Sequence, residues 1–381
     1  MFLCERETMP IKRTVTANLR RDTLRKIATQ KSATPLQKEL AALRVQYSED
    51  SKLLTGSVQQ LVGVSRIYPT HLPTQKSGRW STLNPPITNW PRGCINPHCL
   101  CEEHEWTAQC WSIRDVLQCD SDEVLVTWDH DNIEGRIHDL IVNDEVALQA
   151  HTEGYDLHTI TCCDIFDYEY PFNKKNPHTS EEDSQWRSRY NWQGKDTKQR
   201  VLAKNFNHGS KYTESYKFVH RIQGIERYGV SYANLEQLAK RYIKAKQQAW
   251  NVKLDIMQRI RRERISRTLY GFRRVFFDSS AETGREGFSH MISGTVSDYN
   301  NETLRLIDEW LGSDVRLLHN AHDGDKIAVK RSMFKRRYTG HINDFKAQIE
   351  LFGFDLKQMI ERCIEYEGRS LIMTAGIKIY A

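Results

Sequence analysis

The spacing of apolar residues along the chain predicts a mixture of helices and short strands. Apolar residues recur at helical spacing between Leu36 and Leu61, and the stretch 232–267 alternates apolar and cationic residues with the same period. The run EVLVTW at 123–128 is apolar and β-branched, as expected of a buried strand. Two further apolar runs, 315–318 and 326–329, are separated by a turn and predict a β-hairpin. Together these elements predict an α+β chain.

Other stretches interrupt this pattern or extend it. The segment 68–92 contains five prolines, which exclude a long helix there. The polar segment 168–198 predicts a loop, whereas residues 200–212 predict a short helix and residues 297–311 another.

Length and composition limit the classes of protein to consider. A chain of 381 residues is long enough for two or three domains. It has 55 Lys and Arg residues against 49 Asp and Glu, a net charge of +6, and its clustered cations suit a polyanionic partner. No apolar run reaches the length of a membrane span, and the N-terminus lacks the apolar core of a signal peptide. We therefore expect a soluble, intracellular protein.

The nine cysteines include one cluster with metal-binding potential. An odd number of mostly scattered cysteines argues against a disulfide framework and for reduced thiols. The cluster has enough thiols and imidazoles for a tetrahedral zinc site, although its spacing includes Cys-x-Cys instead of paired Cys-x2-Cys. A structural zinc ion and unliganded surface cysteines are therefore alternatives. The cluster comprises Cys94, Cys99, Cys101, His104 and Cys110.

Four residues recur at every fourth position in the segment 200–212. On a helix each such step advances the side chain by only about 40°, so Arg200, Lys204, His208 and Tyr212 would form one stripe. The two cations suit a polyphosphate, because arginine offers a planar fork and lysine a compact charge. The two rings suit a sugar or a base. Taken alone, the stripe also fits the solvated basic face of an ordinary surface helix.

Two aspartates stand where rigid elements end. Asp129 directly follows the predicted strand 123–128, and Asp323 lies near the tip of the predicted hairpin. Mg²⁺ prefers oxygen ligands and retains several waters, so two carboxylates suffice when substrate phosphates complete the shell. The two aspartates are therefore a candidate site for two metal ions. Either one alone is also typical of a turn or a helix cap.

These features coincide, in order, with the motifs of a known family. The segment DHDNIEGR at 129–136 resembles the first catalytic motif of family A DNA polymerases, which has an Asp, a Glu and an Arg in the same spacing. The segment EGYDLHT at 153–159 is similar to the Glu-Gly-x-Asp-Ile-His that follows it. The stripe at 200–212 resembles the family's Arg-x3-Lys-x3-aromatic-Gly-x2-Tyr helix, and His322 with Asp323 resembles its third motif.

The resemblance implies a role for each matching residue. It implies that Asp129 and Asp323 hold two Mg²⁺ ions for nucleotidyl transfer, and that Lys204 protonates the leaving pyrophosphate. It implies that Glu134 blocks the 2′-hydroxyl of a ribose, which favours deoxynucleotides. The residues implied to contact the incoming nucleotide are Glu134, His158, Arg200, Lys204, His208 and Tyr212. The residues implied to contact DNA are Arg79, Asn89, Arg285 and His322.

The sequence departs from the family pattern at several places. His208 stands where the family has Phe or Tyr, and an imidazole can carry charge near pH 6.5, which would affect sugar selection and pH dependence. Gly324 replaces the Glu that normally follows His-Asp; whether Asp325 substitutes for that Glu or does not is left open by the sequence. The Cys-rich residues 94–110 form an insertion. Since the segment before residue 35 is too short for a nuclease fold, we expect no proofreading exonuclease domain.

We therefore predict an α+β right-hand polymerase fold with an antiparallel palm sheet, helical fingers and a short helical thumb. The expected domains are a basic arm with an abbreviated thumb at 1–66, a first palm part at 67–160, fingers at 161–275 and a second palm part at 276–381. The predicted function is template-directed DNA synthesis on primer-template DNA with dNTPs. The alternatives are a single-subunit RNA polymerase or primase-like enzyme of the same fold, against which Glu134 counts, and a nucleic-acid-binding protein that has lost activity.

Overall fold

The structure is a computed structural model that describes residues 24, 27–28, 32–59, 61–72, 75, 79–87, 119–222, 228, 230–321, 323–338 and 344–380. In chain order, the α-helices among these residues are α1 (Pro35–Leu53), α2 (Ile133–Val142), α3 (Glu145–Glu153), α4 (Leu157–Phe166), α5 (Ser184–Arg189), α6 (Lys198–Gly209), α7 (Tyr232–Ala245), α8 (Gln247–Glu263), α9 (Ala281–Leu311), α10 (Arg331–Tyr338) and α11 (Phe345–Ile360). The strands are β1 (Thr70–Leu72), β2 (Ser81–Leu83), β3 (Glu123–His130), β4 (Ile265–Arg267), β5 (Arg273–Val275), β6 (Val315–Ala321), β7 (Gly324–Lys330), β8 (Cys363–Tyr366), β9 (Arg369–Ile372) and β10 (Ala375–Tyr380).

The chain divides into two compact units. The first comprises Met1–His71 and Thr82–Leu117, and the second comprises Leu72–Ser81 and Gln118–Ala381. The candidate site residues that the structure describes all belong to the second unit. The domain boundaries expected from the sequence stay predictions.

Helix α1, in the first unit, begins with a capping box. The hydroxyl of Thr34 accepts from the amide of Gln37 at 3.2 Å, and the carboxamide oxygen of Gln37 accepts from the amide of Thr34 at 2.9 Å. Pro35 occupies the first helical turn, where its missing N–H costs no hydrogen bond. Local sequence therefore fixes where this predicted helix starts.

The second unit contains a four-stranded antiparallel sheet with the strand order β10, β3, β7, β6. On one face of this palm sheet, Val126 and Trp128 of β3 and Ile327 of β7 form a buried core with helices α10 and α11. The predicted strand and hairpin are both confirmed. Strand β3 runs two residues beyond the predicted end, because His130 still pairs with β10, and the strand therefore includes Asp129.

Asp325 lies on the packed face of the palm sheet. It is directly opposite Trp128 in the register, and residues opposite each other in antiparallel strands point to the same face. Asp325 is only 2% exposed, whereas Asp129, one position along β3 on the other face, is exposed. Asp325 is therefore directed away from the Asp129 side of the sheet. Of the two alternatives that the sequence left open for Asp325, this position disfavours substitution for the family's Glu.

Glycine at position 324 permits a close approach of β7 to β3. A Cβ atom at 324 would lie 2.1 Å from the carbonyl oxygen of Trp128 and 2.8 Å from the Cα of Asp129. Both are backbone atoms, which cannot move aside as the end of a flexible side chain would. The strand arrangement of this chain therefore requires glycine directly opposite Asp129.

Helix α9 is longer than the predicted helix at 297–311, because its first half is rich in small and polar residues that carry little apolar signal. These small residues allow close packing against helix α8; a Cβ at Gly287 would lie 2.4 Å from the side chain of Ile260. Phe288 and Tyr299 of α9 belong to one buried core, with helices α2 and α8, and Leu311 belongs to the core beneath the palm sheet. One helix thus runs through both cores.

The segment 168–198 is structured, and its prediction as a loop is wrong. It contains 3-10 turns at Glu181–Asp183 and Gly194–Asp196, with helix α5 between them. Its aromatic residues anchor it: Trp186 and Trp192 are 9% and 7% exposed, with ring centroids 4.7 Å apart. They join the buried core of helices α4, α6 and α7. The polar composition indicates a loop, but burial of widely spaced aromatic side chains outweighs it.

Helix α6 ends at Gly209, three residues before Tyr212. The predicted helix over 200–212 is therefore too long at its C-terminal end. Glycine is common where helices end. In addition, the carbonyl of Ser210 accepts a hydrogen bond from the ammonium of Lys253 at 2.8 Å, which directs this part of the backbone toward helix α8. Tyr212 lies in the turn that follows.

Gly324→Ala is expected to destabilise the palm sheet, because the added methyl group meets the backbone of β3. Overpacking of this kind typically costs about 1–3 kcal/mol. Gly376 offers a matched control: it faces Asp129 from β10, and a Cβ there meets no atom within 4 Å. Urea unfolding should show a lower free energy of unfolding for Gly324→Ala and a change within about 0.5 kcal/mol for Gly376→Ala. Equal effects of the two changes would contradict the close approach.

Candidate active site

Asp129 and Asp323 lie at the same end of the palm sheet. Asp129 is directly opposite Gly324, the residue after Asp323. The backbone amide of His130 donates to the carbonyl of Asp323 at 2.7 Å, which ties the hairpin turn to the end of β3. The side chain of Asp129 is exposed, and that of Asp323 is partly buried. Two aspartates from distant parts of the sequence thus have neighbouring backbones at this end of the sheet.

The chemistry of this pair suits hard divalent cations. Mg²⁺ commonly binds through one or two carboxylates, while water and substrate phosphates complete its octahedral shell. Among the residues that the structure describes, no group of three or more His, Cys, Asp or Glu side chains is placed to hold a metal ion.

Side chains from four parts of the second unit meet at Glu134, in the first turn of helix α2. The carboxylate of Glu134 forms an ion pair with Arg79. It also accepts from the hydroxyl of Ser293 at 3.0 Å and from the hydroxyl of Tyr212 at 3.5 Å. Arg79 in turn donates to the hydroxyl of Ser293 at 3.3 Å. We call these four residues the Glu134 cluster. Its contacts fix the orientation of the Glu134 carboxylate, and 31% of the Glu134 side chain stays exposed.

The Glu134 cluster lies beside the aspartate pair. Burial lowers the pKa of the Arg79 guanidinium, and the nearby groups Tyr212 and Asp323 oppose that shift electrostatically. Arginine stays protonated at neutral pH despite such a shift. The positive charge of Arg79 therefore lies within electrostatic range of Asp323.

A buried carboxylate, Asp156, holds Arg200. Arg200 donates from Nε to Oδ2 of Asp156 at 2.9 Å and from Nη2 to Oδ1 at 3.0 Å, the fork geometry of a strong arginine–carboxylate pair. Its Nη1 donates to the carbonyl of Lys195 at 2.9 Å. The two side chains are only 10% and 12% exposed. Arg200 is thus held at the start of helix α6, and the stripe seen in the sequence is not one uniform solvated face.

Asp156 also caps helix α4. Its Oδ1 accepts from the backbone amides of His158 at 3.2 Å and Thr159 at 3.4 Å, and its Oδ2 accepts from the hydroxyl of Thr159 at 2.7 Å. Burial by itself would raise the pKa of Asp156, but hydrogen bonds from His178 and Arg200 outweigh burial and hold that pKa well below its usual range. One carboxylate therefore connects Arg200 to the helix that carries His158.

The imidazole rings of His158 and His208 lie 5.7 Å apart between centroids. The carboxamide nitrogen of Asn207 donates to Nδ1 of His158 at 3.1 Å. Burial and neighbouring cations lower the pKa of His158 to about 3. His208 is exposed, but burial of part of its ring and the positive charges of Lys211 and Lys204 lower its pKa to about 4. Both rings are neutral at pH 7, so His208 does not provide the charge near pH 6.5 that its sequence position suggested.

Two lysines near helix α6 have opposite environments. Lys204 is exposed, one turn beyond Arg200. Lys253 of helix α8 is 2% exposed; its Nζ donates to the carbonyl of Ser210 and lies 3.2 Å from the ring centroid of Trp250. Burial lowers the pKa of Lys253 well below its ordinary value. Lys253 thereby fixes the turn that presents Tyr212 to Glu134.

The predicted DNA contacts and zinc ligands are only partly covered by the structure. Arg285 lies on helix α9 and forms an ion pair with Glu282, one turn earlier. Arg79 lies in the Glu134 cluster. The roles of all members of these two sets stay predictions, and the other members lie outside the described residues. They are Asn89, His322, Cys94, Cys99, Cys101, His104 and Cys110.

The structure adds three residues to which the sequence had assigned no role: Asp156, Ser293 and His178. Asp156 carried a signal, since an Asp two residues before a His at the start of an apolar segment is typical of a helix cap. Ser293 belongs to the small residues of α9 that face the site and has no distinctive pattern. His178 lies in the polar segment predicted as a loop, where a single histidine gives no signal.

The family model for DNA polymerase family A matches residues 2–339. The chain belongs to DNA polymerase family A. A solved structure, the POL domain of Pol1 from M. smegmatis in complex with DNA primer-template and dNTP, is similar to this family A chain with a TM-score of 0.66 and 16% identity. The similarity covers 95% of this chain and 55% of that chain, so this chain spans about half its length. It confirms the predicted α+β polymerase fold.

Two further observations add little to the assignment of this family A chain. A search among curated proteins finds no match. Within the part of the chain that the structure describes, every helix is too short or too polar to cross a membrane.

Asp156→Asn is expected to lower the free energy of unfolding by about 3 kcal/mol at pH 7, because it leaves the buried Arg200 without its carboxylate. The pKa of Asp156 is lower in the folded protein than in the unfolded chain, where it is about 3.9. Its stabilising effect is therefore complete above that value and is lost as the pH falls toward the folded pKa. Urea unfolding from pH 7 to pH 3 should show the gap between wild type and variant shrinking below about pH 4.

An exposed ion pair in the segment 168–198 supplies the control for Asp156→Asn. Glu169 and Arg189 are joined at 2.6 Å, but their side chains are 72% and 61% exposed. Glu169→Gln should change the free energy of unfolding by less than about 1 kcal/mol. A gap for Asp156→Asn that does not change with pH, or that is no larger than that of Glu169→Gln, would contradict the role assigned to Asp156.

Proposed function

We propose that this protein is a template-directed, primer-dependent DNA polymerase that adds deoxynucleotides to a primer 3′-hydroxyl. The observation that carries the proposal is the position of Asp129 and Asp323 side by side at the end of the palm sheet, next to the Glu134 cluster. Membership in DNA polymerase family A supports the same reading. Primer-template DNA and dNTPs are the proposed partners, and an intracellular location fits a protein that acts on DNA.

The aspartate pair is the proposed metal site. Asp129 and Asp323 offer carboxylate oxygens on rigid backbone, and they would hold two Mg²⁺ ions together with the phosphates of the nucleotide. When bound, such ions activate the attacking hydroxyl and offset the negative charge that develops during nucleotidyl transfer. The contribution of the chain is to keep the backbones of the two aspartates adjacent, through the pairing of β3 with β7 and the hydrogen bond from the His130 amide.

The triphosphate is proposed to lie against helices α4 and α6. The contacts described for Arg200 use three of its five N–H donors, which leaves two for phosphate oxygens. Because Asn207 donates to Nδ1 of the neutral His158, the proton of that ring is on Nε2, which makes it a donor. The exposed ammonium of Lys204 is placed to protonate the leaving pyrophosphate. Positive charge at these positions stabilises a transition state whose charge spreads over phosphate oxygens.

Sugar selection is assigned to the Glu134 cluster. A carboxylate fixed by Arg79, Ser293 and Tyr212 cannot swing aside to admit a larger sugar without losing these contacts. A 2′-hydroxyl in the space next to Glu134 would therefore be excluded. This supports deoxynucleotides over ribonucleotides as substrates.

Primer extension tests the proposed activity. Wild-type protein with Mg²⁺ and dNTPs should lengthen a labelled primer on a template, and Asp129→Ala or Asp323→Ala should reduce the rate by at least about a thousandfold while duplex binding persists. Asp122→Ala is the control, because this exposed aspartate lies at the opposite end of strand β3 and should leave the rate unchanged.

Each alternative function has a distinct outcome in that assay. Extension with rNTPs but not dNTPs would identify an RNA polymerase or primase-like enzyme. Binding of primer-template without extension, in Mg²⁺ or Mn²⁺, would identify a nucleic-acid-binding protein and contradict the proposed activity. Full extension by both aspartate variants would contradict the assignment of the metal site.

Glu134→Ala is expected to raise the ratio of ribonucleotide to deoxynucleotide incorporation by about tenfold, because it removes the carboxylate next to the 2′ position. The ratio is measured from kcat/KM for each sugar on one template position. Glu145→Ala is the control, since Glu145 also lies in the first turn of a helix but is exposed and away from the Glu134 cluster. An unchanged ratio in Glu134→Ala would remove Glu134 from sugar selection.

A further inference from the structure

The segment 168–198 supplies a side chain to the pair formed by Asp156 and Arg200. Nε2 of His178 lies 2.7 Å from Oδ2 of Asp156, the same oxygen that accepts from Nε of Arg200. The indole N–H of Trp192 donates to Nδ1 of His178 at 3.0 Å. The planes of the two rings are nearly parallel, at 12°, with their centroids 6.1 Å apart. Trp192, His178, Asp156 and Arg200 thus form one continuous hydrogen-bond chain.

Trp192 determines which nitrogen of His178 carries the proton. An indole N–H is a donor only, so Nδ1 of His178 must be the acceptor. The proton of the neutral ring is then on Nε2, where it points to Asp156. Any other placement would put two donors against each other at Nδ1, or leave Nε2 and the carboxylate facing each other as two acceptors. Trp192, 14 residues away in the sequence, therefore selects the tautomer of His178 that donates to Asp156.

The chain is shielded from water along its length. The side chains of His178, Asp156 and Arg200 are 10%, 12% and 10% exposed, and Trp192 is 7% exposed. In such surroundings hydrogen bonds to a charged group are stronger than at the surface, and an unmade one is costly. The orientation of the Asp156 carboxylate is consequently fixed from two sides, by Arg200 and by His178.

We propose that His178 and Trp192 are positioning residues for the triphosphate of the incoming nucleotide. They keep the Asp156 carboxylate in the one orientation in which it accepts from both the Arg200 guanidinium and the backbone amide of His158, in the first turn of helix α4. The proposal rests on the proposed function, because Arg200 and His158 are the residues assigned there to the phosphates. Neither His178 nor Trp192 needs to touch the nucleotide.

The kinetic test compares two replacements of His178. His178→Phe removes the donor to Asp156 and should raise the KM for dNTP about tenfold, as expected for losing a hydrogen bond to a charged group, with kcat changed less than about threefold. His178→Gln keeps an N–H donor near the position of Nε2 and should restore KM to within about twofold of wild type. A kcat loss without a KM change, or no rescue by glutamine, would overturn the proposal.

Trp192 is tested against a matched tryptophan. Trp192→Phe keeps most of the packing but removes the donor to His178, so KM for dNTP should rise about threefold. Trp186→Phe makes the same change in the same aromatic cluster, where the indole N–H donates at 2.7 Å to the backbone carbonyl of Glu169. It should leave KM unchanged. Equal effects of the two changes would indicate general packing and overturn the role of Trp192.

A double-substitution cycle shows whether the effect passes through Arg200. In an Arg200→Ala background, His178→Phe should raise KM by a smaller factor than it does in the wild type, because one of the two phosphate-contacting residues that it positions is gone. Multiplicative effects would mean that the two residues act independently, which would overturn the proposal. Circular dichroism of each variant checks that the fold is retained, and Trp192→Phe provides the result if His178→Phe does not fold.

Nitrogen NMR of selectively labelled histidine gives a readout that needs no activity. In the wild-type protein the ring of His178 should show a protonated Nε2 and an unprotonated Nδ1, and Trp192→Phe should mix the two forms. A proton found on Nδ1 in wild type would overturn the hydrogen-bond chain. If wild-type protein extends no primer, the proposed function fails together with its phosphate assignments, while this spectrum still decides whether His178 orients Asp156.

Discussion

The carboxylate of Asp156 is the constraint on which the proposed nucleotide-binding side of the molecule depends. A buried charge is stable only when its partners are complete, and here those partners come from three stretches of the chain: helix α6, the start of helix α4 and the segment 168–198. Each partner carries or supports a residue of the candidate site. The hydrogen bonds to the Asp156 carboxylate therefore hold helix α6, the start of helix α4 and the segment 168–198 against one another.

The palm side depends on a different constraint, the pairing of β3 with β7. Backbone hydrogen bonds bring Asp129 and Asp323 together without any direct attraction between them; two negative groups would otherwise repel each other. The absence of a side chain at Gly324 makes this close pairing possible. Paired backbone thus fixes the positions of the site residues on the palm side, whereas hydrogen-bonded side chains fix them around Asp156.

The sequence predicted the parts of the site that depend on local pattern. Strand β3, the β6–β7 hairpin and helices α7 and α8 have clear periodicity, and the spaced motifs located both aspartates and Arg200. Three features escaped it because they depend on contacts between distant residues. Burial of Trp186 and Trp192 orders the polar segment 168–198. Lys253 donates a hydrogen bond to the carbonyl of Ser210, where helix α6 ends. The register of β3 and β7 places Asp325 on the packed face of the sheet. None of these has a local signature.

Helix α9 has a consequence for any attempt to exchange parts between polymerases of this family. At 31 residues it is about 46 Å long, and its two halves belong to different buried cores. Its first half also carries Ser293, which contacts the Glu134 carboxylate. A chimaera with a junction inside this helix would combine halves fitted to different surroundings. The natural boundary for a graft is instead the loop before Ala281, so that the palm hairpin and the helix are transferred as one piece.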